Sequence, residues 1–278
     1  MSWAASAPGV GGGLSRRFRA VWGAVSLSGA GVVWLLLLGP VLELLAHSSP
    51  GVLRRALTAP GALDPLLTSV ESGLVTLAVL VLGGTPLGWA LARGSLPAPR
   101  LWEAGLLASL LLPPLVIGLL LVFLVGPVTP IGKLLDFMHA SATNTFLALV
   151  IAQVYESAPY YVLGAQAAFA DVDPQLVQQA ALLGDPPLRA ARRVVLPLAA
   201  PGLAMALAVA WARAMGAFGA VVIVAYHPYG LPLQIWTTLQ ETGLASALPF
   251  ALILLVVALP LPLTAYLWSA RARGRRRG

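Results

Sequence analysis

Residues 178–197 read QQAALLGDPPLRAARRVVLP, and they interrupt long runs of Leu, Val and Ala with a polar, basic segment. Asp173-Pro174, just before it, is a helix-start signal, because an Asp side chain accepts hydrogen bonds from free backbone N–H groups and Pro suits the first helical turn. Leu183-Gly184 is a helix-stop signal, and Asp185-Pro186 repeats the start. The pattern predicts two short helices joined at a Gly elbow, the second ending where Pro197 forces a break.

The rest of the chain has the composition of an integral membrane protein. Of its 278 residues, 59% are hydrophobic and 10% charged, and the mean hydropathy is +0.87, whereas soluble domains carry about 25% charged residues. The absence of Cys excludes disulfides and thiolate ligands. His47, His139 and His227 have no second metal-type ligand at helical spacing, so we expect neither a metal site nor a cofactor in this chain.

Six stretches of about 20 apolar residues are candidate membrane helices, which predicts an all-α membrane protein. They cover residues 22–46, 66–92, 101–125, 143–169, 198–226 and 246–268. The first apolar run is too long for the core of a signal peptide, so we interpret it as a retained helix. The prediction is a membrane domain over residues 21–268, flanked by a tail without regular structure (1–20) and a basic tail (269–278).

The distribution of Lys and Arg predicts the orientation. With the N-terminus inside, 13 of the 17 fall on the inner side, Arg54, Arg55 and Lys133 fall outside, and Arg213 lies within a span. The positive-inside rule then places both termini in the cytoplasm. The basic tail is best explained by anionic headgroups of membrane lipid rather than nucleic acid. The loop 171–197 becomes cytoplasmic, where an intracellular partner would dock.

The second helix of this loop has one apolar stripe beside three Arg. Leu188, Ala191 and Val195 recur at spacings of three and four, next to Arg189, Arg192 and Arg193. Such a stripe suits a groove in a partner protein, and it equally suits an interfacial helix that lies on lipid headgroups. Periodicity alone leaves both interpretations open.

The spacing in this loop resembles the signature of ABC importer permeases. In that signature, Glu-Ala-Ala is followed after three residues by Gly, and after a further twelve by the Pro of a Leu-Pro pair. Gly184 and Leu196-Pro197 match in register, while Gln178, Gln179 and Ala180 occupy the Glu-Ala-Ala positions. The acidic residue is therefore replaced, which argues against a salt bridge from the first loop helix.

Four further segments resemble the same family. GTPLGWALAR (84–93) is similar to the end of its second helix, and the other three are similar to its molybdate, tungstate and sulfate branch. These are LLPPLVIG (111–118), AQVYESAPYYVLGAQAAFADVDPQL (152–176) and WARAMGAFGAVVIVAYHPYGLPLQIW (211–236). Ala217 stands where that branch usually has Glu.

The resemblance implies a type I ABC importer permease fold with definite partners. A second copy of the chain would complete the membrane domain, a cytoplasmic ABC ATPase dimer using ATP and Mg would lie beneath it, and an extracytoplasmic solute-binding protein above. The loop helix after Gly184 would be the coupling helix that contacts the ATPase. The residues implied in coupling are Gln178, Ala180, Gly184, Asp185, Leu188, Arg189, Arg192, Leu196 and Pro197. The chain has no phosphate-binding G-x-x-x-x-G-K-[ST] motif, so ATP hydrolysis belongs to another subunit.

Ionisable residues inside a membrane are costly and are candidates for function. Arg213 offers positive potential to a passing oxyanion, or it pairs with Glu156 or Glu71. We favour the pair, because a tight anion site in a pore would hinder release. Glu156 precedes Pro159, which is expected to bend the fourth span. The translocation path or gate is predicted to include Arg213, Gly216, Phe218, Gly219 and Glu156.

The leading hypothesis is import of molybdate or tungstate by alternating access. Sulfate, or another anion, is the alternative within transport, and a membrane enzyme or a scaffold without transport activity is the alternative from another class. Against an enzyme, no paired acid and base, nucleophile triad or metal cluster falls on a common face. The aromatic loop 227–236 is predicted to be a re-entrant or interfacial turn beneath the binding protein.

Overall fold

A computed structural model describes residues 11–46, 63–183 and 185–275, together with residues 51, 54 and 58. Within these ranges, side chains are described except at residues 11–20, 181, 187, 188 and 272–275. Across these described residues the chain is helical and contains no strand. The chain divides into two compact units, residues 1–52 and residues 53–278.

The first unit contains a single described helix, α1 (Gly11–Ala46). Its portion from Val21 to Ala46 is long and apolar enough to cross a membrane, as predicted. Residues 11–20 are helical rather than irregular, so the predicted tail is wrong over this stretch. Helix extension is cooperative, and Leu14–Arg19 is a segment of adequate helix propensity that continues the apolar helix. Residues 1–10 and His47 lie outside the described residues.

Between residues 63 and 275, the described part of the second unit contains twelve helices. In chain order they are α2 (Asp64–Ala92), α3 (Pro99–Leu111), α4 (Pro114–Val125), α5 (Pro130–Phe137), α6 (Phe146–Ala170), α7 (Pro174–Leu182), α8 (Pro187–Ala190), α9 (Leu196–Met215), α10 (Val221–Val224), α11 (Leu231–Thr242), α12 (Leu244–Ala258) and α13 (Pro260–Arg275). Helix α2 contains one π-helical turn, Leu80–Gly84. In the described part of the chain, five helices can span a membrane, or six if the bent pair α3–α4 counts as one.

The predicted third span is not straight. Helices α3 and α4 meet at an angle of 118°, because Leu112 and Pro113 are extended and Pro114 begins a new helix. Two successive Pro lack the N–H groups that would continue the helical hydrogen bonds, and the residue before a Pro avoids the helical conformation. The predicted fifth span is too long, since α9 ends at Met215. The final helix reaches Arg275, within the predicted basic tail.

The predicted break at Pro197 is also wrong. Helix α8 runs into α9 through a π-helical turn at Ala191–Val195, and Leu196 keeps helical dihedrals. A wider π turn accommodates the missing N–H and the ring of Pro197 without ending the helix. Helix α6 likewise continues through Pro159. Helices α8 and α9 together therefore form one continuous helix from residue 187 to residue 215.

Helix α6 lies at the centre of the unit and packs against α2, α3 and α9. Small residues permit this packing: a Cβ on Gly164 would lie 2.6 Å from the Cβ of Ala206, and one on Gly202 would lie 2.6 Å from the Cβ of Ala168. Lipid gives apolar helices no hydrophobic reason to associate, so close backbone approach supplies much of the attraction. Glycine and alanine thus set the distance between α6 and α9.

Buried polar side chains join α2 to its neighbours. Thr76 Oγ1 donates to Gln153 Oε1 at 3.0 Å, and the hydroxyls of Thr85 and Tyr161 are 2.6 Å apart. Ser69 Oγ accepts from the backbone N–H of Leu231 at 2.7 Å, at the start of α11. Buried polar groups in a membrane need such partners, so these bonds define how α2, α6 and α11 fit together.

Helices α11 and α12 form a hairpin through Gly243. Its φ of +89° and ψ of 178° are accessible essentially only to Gly, so the sharp turn depends on this residue. The aromatic loop predicted to be a turn corresponds to non-helical residues 225–230 followed by α11. The hairpin returns to the side of the unit from which α11 begins.

We expect Gly164→Ala to lower the free energy of unfolding by about 1–3 kcal/mol, because the added methyl would press α6 away from α9. Gly105→Ala in α3 is the matched control, since a Cβ there meets nothing within 4 Å. The control should be neutral or slightly stabilising, because Ala exceeds Gly in helix propensity by roughly 1 kcal/mol. Thermal unfolding in detergent measures both. Equal effects would contradict the packing assigned to Gly164.

Candidate functional site

A cavity of about 360 Å³ lies where the two interrupted helical segments meet. One wall is the bend between α3 and α4, and the other is the non-helical segment 216–220 that follows α9. Gly219 allows this contact, since a Cβ there would lie 2.5 Å from the Cβ of Pro114 and 3.0 Å from the backbone N of Leu115. The lining residues are Pro113, Pro114, Leu115, Glu156, Arg213, Gly216, Phe218 and Gly219.

All five residues predicted for the translocation path line this cavity. Sequence reasoning did not identify Pro113, Pro114 and Leu115, which complete its wall. The signal that could have found them is the Pro-Pro pair inside a long apolar run, because such a pair marks an irregular backbone. The role of this set of residues in transport stays a prediction.

An ion pair crosses the cavity wall between α6 and α9. Arg213 Nη2 donates to Glu156 Oε2 at 3.0 Å, and Glu156 Oε1 accepts from the backbone N–H of Ala220 at 3.2 Å. The structure therefore selects Glu156 over Glu71, which is exposed on α2. One carboxylate joins α6 both to the end of α9 and to the segment beyond it.

The two members of the pair differ in exposure. The side chain of Glu156 is 1% exposed and that of Arg213 is 36% exposed. The guanidinium carbon of Arg213 lies 5.3 Å from the ring centre of Tyr160, a cation–π contact. Its Nε is buried and has no acceptor in the described part of the chain. Arg213 therefore contacts both Glu156 and Tyr160, and its Nε can still donate a hydrogen bond.

Aromatic and small residues complete the cavity wall. The ring of Phe218 lies 5.6 Å from that of Trp236 on α11, so the aromatic loop contacts the segment that follows α9. Ala217, where the similar permeases usually have Glu, is buried in an apolar cluster with Ile117, Leu121 and Leu149. A carboxylate at this position would lose its hydration without a compensating partner from that cluster.

The first helix start predicted for the loop 171–197 is confirmed, since α7 begins at Pro174. Asp173 Oδ1 accepts from the backbone N–H of Gln175 at 2.8 Å as α7 begins. Asp185 lies 3.6 Å from Arg189 Nη1 and 3.7 Å from Arg193 Nη1. Gly184, the predicted elbow, lies outside the described residues, as does the side chain of Leu188.

The two described members of the predicted apolar stripe, Ala191 and Val195, do not face outward. Val195 is fully buried and packs with Phe169, Val172 and Ala199, and Ala191 is half-buried. The helix turns this face toward its own chain, because α6 and its continuation offer an apolar surface there. Leu182 and Leu183 are instead each 88% exposed at the end of α7. Among the described side chains of the loop, these two leucines are therefore the most exposed large apolar residues.

The other residues predicted for coupling differ in exposure. Gln178, Leu196 and Pro197 are exposed, whereas Ala180 is buried. Arg189 and Arg192, with Pro186 and Arg193, line a second cavity of about 540 Å³. The loop thus combines a basic face with an exposed apolar corner.

Metal chemistry has no obvious ligands here. In the described residues, no group of three His, Asp or Glu side chains is arranged to hold a metal ion. His139 and His227 lie in separate loops. The described core combines close helix contacts, the Arg213–Glu156 ion pair and a cavity, an arrangement that suits passage of a solute.

Comparison with known families identifies the class of protein. Residues 84–276 match the model of the binding-protein-dependent transport system inner membrane component family. A probable molybdenum ABC transporter permease of Haloferax volcanii is 37% identical over 246 residues, which cover 88% of this chain and 90% of the relative. A molybdate/tungstate transport system permease of Thermococcus kodakarensis is 29% identical and covers 79% and 83% of the two chains.

Solved structures share the fold. A chain in the bacterial alginate ABC transporter, solved in complex with an alginate-pentasaccharide-bound periplasmic protein, superposes with a TM-score of 0.65 at 15% identity. The match covers 93% of this chain and 98% of that one. The protein therefore belongs to the family of binding-protein-dependent transport system inner membrane components. It is a type I ABC importer permease located in the inner membrane, and it is not itself an enzyme.

We expect Arg213→Gln to lower the free energy of unfolding by about 3 kcal/mol, because it leaves the buried Glu156 carboxylate without its cation. The double variant Arg213→Gln/Glu156→Gln should recover part of this loss, since neither charge remains. Glu71→Gln, which alters an exposed acid, is the control and should change stability by less than about 0.5 kcal/mol. A double-mutant cycle by thermal unfolding measures the coupling. Strictly additive effects would show that the pair contributes nothing.

Proposed function

We propose that this chain is the permease subunit of a molybdate or tungstate importer. The observation that carries the proposal is the cavity at the two helix interruptions, where the half-buried guanidinium of Arg213 faces a wall that contains small residues and irregular backbone. A tetrahedral oxyanion needs positive potential and hydrogen-bond donors at close range. The relatives named for molybdenum and for molybdate or tungstate support this substrate class over other solutes.

The proposed movement uses the same interruptions. The bend at Pro113-Pro114 and the non-helical segment 216–220 lack continuous helical hydrogen bonds, so they are the parts of the wall that can change conformation at lowest cost. Glu156 connects that segment to α6. In alternating access, the packed core around α6 would move as a body while these segments open and close the cavity.

The proposed assembly contains two copies of this chain, an ABC ATPase dimer and an extracytoplasmic solute-binding protein. The loop 171–197 would face the cytoplasm and contact the ATPase. Because Val195 is buried, the contact would rely on Leu182 and Leu183 together with the basic side chains of Arg189 and Arg192. ATP and Mg would be used by the ATPase alone. Substrate selection would rest mainly on the binding protein.

We expect ATP-dependent uptake of molybdate or tungstate by proteoliposomes that contain the assembled importer, with sulfate transported poorly. Uptake of radiolabelled or mass-detected oxyanion, with and without the binding protein, measures this. Uptake of sulfate but not of molybdate would show that the proposed substrate is wrong and that sulfate takes its place. Turnover of a compound by the purified chain without an ATPase would point to an enzyme. No uptake and no stimulation of ATP hydrolysis would favour a scaffold.

We expect Leu183→Asp to weaken association with the ATPase at least tenfold, because it places a charge in the exposed apolar corner of the loop. The chain should still insert into the membrane, since Leu183 has little contact with its own fold. Pull-down of the ATPase and coupled ATP hydrolysis measure the effect. Gln178→Glu, an exposed change on the same loop that restores the usual acid, is the control and should preserve association. Full coupling in Leu183→Asp would overturn the assignment.

A further inference from the structure

We propose that Arg213 and the adjoining segment form an oxyanion subsite inside the membrane, and that Glu156 is its exchangeable counter-ion. The inference rests on the proposed oxyanion substrate and adds a specific place where the ion pauses during transport. It assigns to Glu156 a role in substrate release in addition to its structural bonds. The subsite is the cavity of about 360 Å³ bounded by the bend of α3–α4 and residues 216–219.

Unused donors surround the arginine. Of its donor nitrogens, Nη2 bonds Glu156, while the buried Nε has no acceptor. Among the described residues, neither Phe218 nor Gly219 donates its backbone N–H to another backbone group, and both residues line the cavity. Buried donors without partners are rare in folded proteins and usually belong to sites that hold water or an ion. A charged donor beside two amides suits a tetrahedral anion.

The cavity has the size and position for a partly hydrated ion. Its volume is about twelve times the roughly 30 Å³ that one water molecule occupies in the liquid. Irregular backbone at membrane depth is tolerated where it lines a water-filled cavity, which describes both the Pro113-Pro114 bend and the segment after α9. An oxyanion could therefore enter with part of its hydration shell.

Glu156 explains why such a subsite would not trap its ligand. The carboxylate already neutralises Arg213 at 3.0 Å, so an arriving oxyanion meets a paired cation and is repelled by the neighbouring acid. Affinity is thereby kept low enough for release, as conduction requires. When the oxyanion leaves, the Arg213 guanidinium resumes full contact with Glu156, whose other oxygen keeps its bond from the Ala220 N–H throughout.

The test is equilibrium binding of molybdate to the full-length chain in lipid nanodiscs, without the binding protein. The wild-type chain should bind molybdate weakly and saturably, Glu156→Gln should bind at least tenfold more tightly, and Arg213→Gln should not bind. Glu156→Asp retracts the carboxylate by one methylene and should give an intermediate affinity, so the test survives if Glu156→Gln does not fold. Size-exclusion profiles report folding of each variant.

Glu103→Gln is the matched control, because Glu103 accepts from Gln166 at 2.6 Å and does not line the cavity. It should leave molybdate binding unchanged. The inference is overturned if Arg213→Gln binds as well as the wild type, or if folded Glu156→Gln or Glu156→Asp binds no more tightly. Either result would contradict the subsite alone, because the proposal that the assembled importer takes up an oxyanion does not depend on it. If the wild-type importer took up none of the oxyanions, the proposed function itself would be contradicted.

Discussion

The Glu156 carboxylate is the contact on which the arrangement of the membrane core depends. Its two oxygens bond different parts of the chain: the guanidinium of Arg213 at the end of α9, and the N–H of Ala220 beyond it. Through these two bonds, the carboxylate connects both the end of α9 and the segment after Met215 to α6. A buried acid is costly in a membrane, and here that cost is offset by one cation and one amide.

The close contacts around this pair explain why small residues matter. Gly164 and Gly202 bring α6 and α9 together, and Gly219 brings the segment after α9 against Pro114. In each contact, glycine backbone lies against the Cβ atom of a residue on the facing segment, so the segments approach closely. Phe218, which lies against Trp236, is the aromatic side chain on the cavity wall. The same composition therefore supports tight packing and leaves space beside Arg213.

Sequence reasoning predicted the helical membrane class, six candidate spans and a pairing of Arg213 with either Glu156 or Glu71, because hydropathy and the cost of buried charge act locally; the structure was needed to choose Glu156. It failed where the outcome depends on neighbours in space. Val195 follows a correct helical period, yet only the presence of Phe169 determines which way that face turns. Pro197 carries a strong stop signal, which a π-helical turn overrides. The 118° bend was missed because the apolar run suggested one straight helix, whereas Pro113-Pro114 ends one helix and begins another.

The continuity of α8 and α9 has a mechanical consequence. At 1.5 Å per residue, the helix from residue 187 to residue 215 is a lever about 40 Å long, with the loop at one end and Arg213 near the other. Tilting a rod of that length by about 5° displaces its far end by roughly 3.5 Å, comparable to the length of one hydrogen bond. A small rocking of the loop end would thus be amplified into a distance that matters to the ion pair.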